Sequence, residues 1–447
     1  MKCIRHEYLL AISLAVSLAA GGAARPAADT AVDLSQPLTL ERAVQITLQR
    51  QQRIGVARSQ WDAAKARVTQ AKSAWYPSVG PSYSYSQQVT TQSTPSGKQT
   101  GTYTQNVAQI GLQQTIFDMG KRELNVAISK ESARAAAYNV LDTRQSVILS
   151  VETGWYDLLR QRDLVRVAES SADRAKATLD STRAFVEAGS SARKDVLQAE
   201  ADYETAQVQV IEARNNALLA QTSLKNAMGI TSAEALTLPA DAVATPDTTA
   251  DEKASADYVE RALASRPDLM GTDASISATQ KSVRVARIEA GPQIESSVSE
   301  GYRIHPDSGE NRTLSATISY PLFDAGATRA RVRETQASLS QAEQQRELSR
   351  QNISAAVESA YLQREAAKRR ILASQAAQKA AQENFAAAAQ SQNEGVGTVL
   401  DVITAQNALV TAETNAVTAV YDYYTANATL QREVGQNDPG AERGGTL

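Results

Sequence analysis

Side chains able to carry acid–base, nucleophilic or metal chemistry are few in this sequence, and their spacing suits none of those tasks. Histidine occurs at His6 and His305, and cysteine at Cys3 alone. His6 and Cys3 fall in an N-terminal leader, which leaves His305 in a predicted turn. No Cys nucleophile, histidine-rich metal set or phosphate-cradling glycine loop remains, so the inventory argues against an enzyme and implies no cofactor. Four acids nevertheless have a defined setting. Asp118 lies in Phe117-Asp118-Met119-Gly120 and Asp324 in Phe323-Asp324-Ala325-Gly326. Both are placed to cap a helix where a strand ends, with Phe117 and Phe323 packing at that joint. Asp195 follows Gly189 and Ser191, and Asp401 follows Gly395, Gly397 and Thr398. Each is again placed to cap a helix after a turn, and the three glycines suit positive φ.

These acids come in pairs because the chain is written twice. A constant shift of 206 positions carries Phe117, Asp118 and Gly120 onto Phe323, Asp324 and Gly326. The same shift carries Val151-Glu152 onto Val357-Glu358, Gly189 onto Gly395, Asp195-Val196 onto Asp401-Val402, and Gly229 onto Gly435. Upstream the shift is 215: Val44, Leu48, Ile54 and Pro77 fall on Val259, Leu263, Leu269 and Pro292. The two shifts differ by nine residues, which places a length change between the proline and the Phe-Asp-x-Gly motif, as expected of an exposed loop.

The elements follow from the pattern of apolar residues and breakers. Leu40 to Ala74 reads as one helix capped by Thr39 and stopped by Pro77; its copy runs from about Ala256 to Ala290, with a kink or restart at Pro267. Between Ser78 and Phe117 the period becomes two. Ala108, Ile110, Leu112, Gln114 and Ile116 share one face, and Leu314, Ala316, Ile318, Tyr320 and Leu322 do so in the second copy. Turns at Thr94-Pro95-Ser96-Gly97 and at 305–309 make each run a β-hairpin, spanning 78–117 and 292–323. Tyr83, Tyr85, Tyr103, Tyr302 and Tyr320 suit either interfacial girdles or ordinary strand packing. No proline then occurs from 96 to 238 or from 322 to 437. Lys121 to about Ala188 is a candidate rod of roughly 100 Å. In it Ile148, Val151, Trp155, Leu158 and Val165 keep a heptad-like spacing. The alanine run 386–389 suits a tight seam between helices, and Gly229 and Gly435 suit C-caps.

Composition agrees with a narrow-cored, exported rod. Only 12 prolines and 22 glycines occur, aromatic content is 5%, and net charge is -3 with no basic block, so no nucleic-acid partner is implied. Lys2 and Arg5, the apolar run Tyr8 to Ala20, and small residues at 21–24 make residues 1–24 a secretory signal. No cysteine follows that run to carry a lipid anchor, and no later stretch is long and apolar enough for a transmembrane helix. The chain thus divides into a signal (1–24), a first repeat (25–229, helical-hairpin turn near 186–195), a linker (230–254, rich in Pro, Thr, Asp and Ala), a second repeat (255–435, turn near 394–401) and a disordered tail (436–447).

Four strands cannot close a barrel, and open edges are not tolerated in lipid, so membrane-spanning hairpins demand several chains. At this point the residues resemble a family. Ile116-Phe117-Asp118-Met119-Gly120 and Leu322-Phe323-Asp324-Ala325-Gly326 are similar to the strand-to-helix junctions of TolC-type outer-membrane efflux proteins. Gly189 to Glu200 and Gly395 to Gln406 resemble the periplasmic helical-hairpin turns of that family. The resemblance spans roughly residues 38 to 436. It implies a mainly α fold with membrane β: a long-helix α-barrel plus a trimeric twelve-stranded β-barrel, four strands per chain. It further implies a passive exit duct in the outer membrane, reaching through the periplasm to a periplasmic adaptor and an inner-membrane pump, with outer-membrane lipid around the barrel. Drug or metal efflux and type I protein secretion both fit such a duct. By resemblance Asp401 belongs to an acidic ring at the periplasmic aperture; a plain helix cap is the competing reading. Where the family often has a second acid, this chain has Thr404. Asp195 would cap or hold the gate through Arg193 or Lys194. Gly189, Ser191, Gly395, Gly397 and Thr398 would form the adaptor-docking tips. The alternative to a duct is an exported coiled-coil spacer, for which the matched hairpins have no use.

Overall fold

The computed structural model describes residues 37–95, 97–231, 236–237, 239, 254–305 and 307–438. The expected signal (1–24), most of the linker (230–254) and the end of the tail (439–447) lie outside the described residues. Twelve elements are described: α1 (Leu40–Arg50), α2 (Gln52–Ser73), β1 (Ser78–Thr94), β2 (Gly97–Phe117), α3 (Lys121–Glu187), α4 (Arg193–Met228), α5 (Ser255–Ser265), α6 (Pro267–Ile288), β3 (Gln293–His305), β4 (Gly309–Ser319), α7 (Ala327–Asn393) and α8 (Val399–Val434).

The duplication is visible in the lengths. α3 and α7 each have 67 residues, and α4 and α8 each have 36. A 67-residue helix is about 100 Å long, so each copy is a rod folded back on itself. The nine-residue difference is not in a loop. Both hairpin turns are short, and the strands differ instead: β1 has 17 residues against 13 in β3, and β2 has 21 against 11 in β4. β4 also stops at Ser319, so Tyr320 and Leu322 lie beyond it. Pro321, which has no N–H to donate, adjoins that end.

The expected single helix from Leu40 to Ala74 is two helices, broken at Gln51, whose ψ of 118° is extended. The cause is tertiary. Gly229, in the left-handed region at φ 71°, brings its α-carbon against the Gln51 backbone, where an added Cβ would meet Gln51 Cα at 3.2 Å. Gln51 Nε2 then donates to the carbonyls of Ala227 (2.7 Å) and Asn226 (3.3 Å) at the end of α4. The second copy breaks at the equivalent Arg266, one residue before Pro267. There Arg266 Nη1 donates to the carbonyl of Glu433 at 3.3 Å, the copy of the Ala227 bond. Its charge is met by Glu433 (2.5 Å) and Asp268 (2.8 Å).

The thickest core sits where α1 lies on the rods. Val44, Ile148, Val151, Trp155, Leu158, Leu159, Leu224, Met228 and Tyr421 are buried together there. The second copy has a thinner counterpart around Ile353, Val357, Leu269 and Leu430. Further along, the rods touch through alanines such as Ala168, Ala172, Ala175 and Ala206, which allow close approach. The tail is ordered at its start, contrary to expectation. Asn437 Nδ2 donates to the carbonyl of Gln145 at 2.8 Å, and Arg144 pairs with the buried Asp438 at 2.9 Å. Ala386 and Ala387 are exposed in the single chain.

Candidate functional site

At one end the rods turn back in two tips. The first follows α3 through Gly189 at φ 76°. Ser190 Oγ donates to the carbonyl of Phe185 at 2.9 Å. Asp195 sits in the first turn of α4, and its Oδ2 accepts from Ser191 Oγ (2.8 Å) and Ala192 N (3.2 Å). In the second tip Gly395 also has φ 76°. The N–H groups of Val396 and Gly397 both donate to the carbonyl of Ser391. Gly397 does not use a positive φ, as the sequence suggested. It is needed for space, since a Cβ there would lie 3.0 Å from both Gln392 N and Ser391 Cβ.

Asp401 and Thr398 form a closed capping box at the start of α8. Asp401 Oδ2 accepts from Thr398 N (2.9 Å) and Thr398 Oγ1 (2.6 Å), and Asp401 N donates to Thr398 Oγ1 at 3.2 Å. The hydroxyl and N–H of Thr398 hold the Asp401 carboxyl below the usual carboxylate range. The tip therefore displays an exposed, fixed negative charge on the first turn of a helix, where the dipole also favours it. Thr404 Oγ1 donates to its own helix at Leu400 O (2.7 Å), and Val396 and Leu400 are exposed beside it. This arrangement can exert a field and present a surface; it places no nucleophile beside a base.

Above the tips the two helical hairpins are tied together by links that no sequence motif announces. Arg174 on α3 grips Glu413 on α8 (2.8 Å), and Tyr421 on α8 donates to Asp163 on α3 (2.6 Å). Burial and the hydrogen bond to Asp163 raise the Tyr421 hydroxyl far above its ordinary range. Gln406 on α8 reaches Asp202 on α4 at 3.3 Å, and burial raises the Asp202 carboxyl. These partners are more than 200 residues apart in the chain, so periodicity carries no sign of them.

At the other end the helices run into the sheet. Asp118 and Asp324 are not the N-cap residues. That position belongs to Gly120 and Gly326, both left-handed, and each aspartate caps from two positions earlier. Asp324 accepts from Gly326 N (2.9 Å) and Thr328 N (2.8 Å), and Thr328 chiefly lowers its carboxyl to about 2. Asp118 likewise accepts from Gly120 N (3.3 Å) and Arg122 N (3.0 Å) and adds an ion pair to Arg122 at 3.0 Å. Met119 and Ala325 are also left-handed, at φ 56° and 52°. Two successive left-handed residues turn the chain sharply from strand to rod. The phenylalanines do not bury at this joint: Phe117 is 46% and Phe323 88% exposed.

The sheet is an antiparallel meander, β1-β2-β3-β4, with β1 and β4 as its edges. Its register puts Val79 opposite Leu112, Leu112 opposite Val298, and Val298 opposite Leu314 on one face. Tyr83, Tyr85, Ile110, Tyr302 and Ile318 share that face and are all exposed. The other face carries Ser78, Ser82, Ser84, Gln109, Gly111, Gln113, Ser297, Ser299, Ser315 and Thr317. Among the described residues no helix is long and apolar enough to cross a membrane. The sheet at the head of the long helices, apolar on one face and polar on the other, has the alternation of membrane β-barrel strands.

Comparison with known proteins agrees with this geometry. A family model described as outer membrane efflux protein matches residues 43–230 and 258–436. The outer membrane efflux protein BepC of Brucella suis is 26% identical over 376 residues, 83% of this chain and 79% of its own. The outer membrane protein TolC of Escherichia coli is 23% identical over 393 residues, 84% and 77%. The solved structure of CusC superposes with a TM-score of 0.76 at 16% identity, covering 89% of this chain and 92% of that one.

Proposed function

The chain belongs to the outer membrane efflux protein family, and we propose that three copies close into one continuous duct whose tips dock a periplasmic adaptor and an inner-membrane pump. The chain is an outer-membrane efflux channel, with its sheet in the membrane and its rods in the periplasm. The trimer, the docking partners and the aperture residues are the proposed part. One observation carries the trimer: a four-stranded sheet with one apolar face, one polar face and two edge strands unpaired within the chain. Three such sheets give twelve strands, enough to enclose a lumen lined by Ser, Thr, Gly and Gln.

Asp401 is proposed as the aperture charge. Three ionised carboxylates around the axis attract cations and repel anions. Its capping box fixes each carboxylate in place, so cap and ring are one arrangement. Thr404, bonded to its own helix, adds a hydroxyl but no second charge. Asp195 is occupied as a cap by Ser191 and Ala192, and it contributes to the gate only through tip geometry. The tips at Gly189, Ser191, Gly395, Gly397 and Thr398 supply the adaptor surface. Docking is tested by S191C and T398C variants crosslinked to the cognate adaptor. An adduct at either tip supports it; no adduct at both, with adaptor present, overturns it.

A further inference from the structure

Charge is scarce on the strands and divides by face. Residues paired across the register share a face, and the apolar one carries Val79, Leu112, Val298 and Leu314. Lys98 opposite Ser93, Glu300 opposite Ile110, and Glu310 opposite Tyr302 lie on that same face. So does Arg312, which pairs there with Glu300 at 2.6 Å. Among the described strand residues the polar face holds two charges, both on β3. Glu295 stands between Thr115 and Thr317, towards the helices, and Arg303 between Val107 and Gly309, towards the turn.

The backbone sets Arg303 apart. The ladder between β2 and β3 shifts register between Asn106 and Val107: Val107 faces Arg303 and Asn106 faces His305, which leaves Ile304 over. A bulge of this kind re-aims a side chain. Here it moves His305 to the apolar face and leaves Arg303 as the last β3 residue on the polar one. Its neighbours on that face are Gly301, Gly309, Asn311, Val107 and Ser84, all uncharged. Among the described residues no acid pairs with it: Asp307 is exposed in the turn, and Glu310 lies on the other face. Arg303 Nε is buried without a hydrogen-bond partner. An unpartnered buried donor on a cation calls for an acceptor, and a planar guanidinium matches a carboxylate or a phosphate.

We propose that Arg303 of the three copies forms a cationic ring at the outer mouth of the duct, a binding station for anionic solutes, in series with an acidic ring at Glu295. This rests on the trimer reading above, in which the polar face lines the lumen. The two residues are eight apart on one strand, about 26 Å at about 3.3 Å per residue. A strand tilt of about 40° leaves about 20 Å of that along the axis. The screening length in physiological salt is about 8 Å, so the rings act as separate filters. With Asp401 at the aperture, the duct is acidic at its entrance and basic at its exit. The exit ring concentrates anions in the mouth and repels cations that approach from outside.

The test is single-channel recording of the full chain in planar bilayers at low salt, with inorganic tripolyphosphate added to one chamber. The long polar rods cannot cross the bilayer, so the chamber that receives the protein faces the tips and the opposite one faces the mouth. Tripolyphosphate on the mouth side should block the native channel and block R303Q about tenfold more weakly, the loss expected of charge-assisted contacts. R303K keeps the charge and should keep most of the block. R303C, in a chain whose one native cysteine is Cys3 of the expected signal, should behave like R303Q. Modifying it with a trimethylammonium thiosulfonate should restore the block, which separates charge from any effect on folding. E295Q should leave the mouth-side block unchanged. Equal block of native and R303Q channels, or no mouth-side block of the native channel, overturns the ring at Arg303. A block weakened equally by E295Q overturns the separation of the two rings. Protein that forms no conducting trimer removes the duct reading itself, and the ring falls with it.

Discussion

Replacing Arg266 by alanine perturbs the joint that holds the second repeat's bent helix to the end of its rod. Arg266 is 7% exposed and is held by Asp268, Glu433 and the Glu433 carbonyl. Removing one partner of such a buried pair costs about 3–5 kcal/mol, because the carboxylates left behind lose their countercharge. The lower end applies here: Arg432 still pairs with Glu433 at 2.9 Å, and Asp268 is 37% exposed. The first repeat solves the same joint without charge, with Gln51 opposite Ala227. Copying that solution as R266Q/E433A keeps the side-chain bond to the backbone carbonyl and removes the stranded acid. Arg432 retains Asp142 at 3.4 Å. The double variant should therefore lie within about 1–2 kcal/mol of the native chain, the cost of a few altered hydrogen bonds. The assay is urea unfolding of detergent-solubilised protein followed by helical circular dichroism, comparing midpoints at constant slope. Equal destabilisation of R266A and R266Q/E433A, or no effect of R266A, would refute this account of the joint.

Burial raises the Glu152 carboxyl to about 7, and its Oε2 has no hydrogen-bond partner. Below the ordinary value of 4.5 both the folded and unfolded states hold the proton and nothing is lost; the penalty builds as the unfolded chain ionises from there up to about 7, and is constant above. E152Q should match the native chain below about pH 4.5 and gain on it as pH climbs from there to about 7, levelling off above at about 1–2 kcal/mol after allowing for its partial exposure; thermal unfolding at pH 4.5 and 8 reads this, and a gain confined to low pH contradicts it. G397A forces a Cβ against Ser391 and Gln392 and should loosen the second tip, seen as faster proteolysis there than in the native chain; unchanged cleavage would mean the tip has room. D401A should weaken block of the pore by divalent cations, and conductance in divalent salt that matches the native protein would remove Asp401 from the aperture.

Much of this architecture was legible because a repeat doubles every signal. Proline-free stretches gave the rods, alternation gave the hairpins, and Gly229 and Gly435 marked rod ends that the structure caps in the left-handed region. What stayed hidden was tertiary. Nothing local to Gln51 breaks a helix; the break comes from Gly229 arriving against its backbone, and only the proline at 267 in the other copy hinted at it. Gly397 looked like a left-handed turn residue and proved to be a spacing residue, a distinction only the facing Ser391 makes. Asn437 and Asp438 resemble the start of a loose polar tail, yet Gln145 and Arg144, nearly 300 residues earlier, bury them. At the tip the sequence offered Asp401 as cap or as ring charge; the capping box with Thr398 supplies the first and fixes where the carboxylate sits.

The central claim is that copies of this chain enclose a lumen open through membrane and periplasm. The direct measurement is single-channel conductance of the purified, detergent-solubilised protein added to planar lipid bilayers, with its mass checked by light scattering. Trimers that insert and give discrete, ohmic steps, with a cation preference that falls in D401A, are the expected result. Trimeric or monomeric protein that stays in solution and never raises the conductance of the bilayer would contradict it.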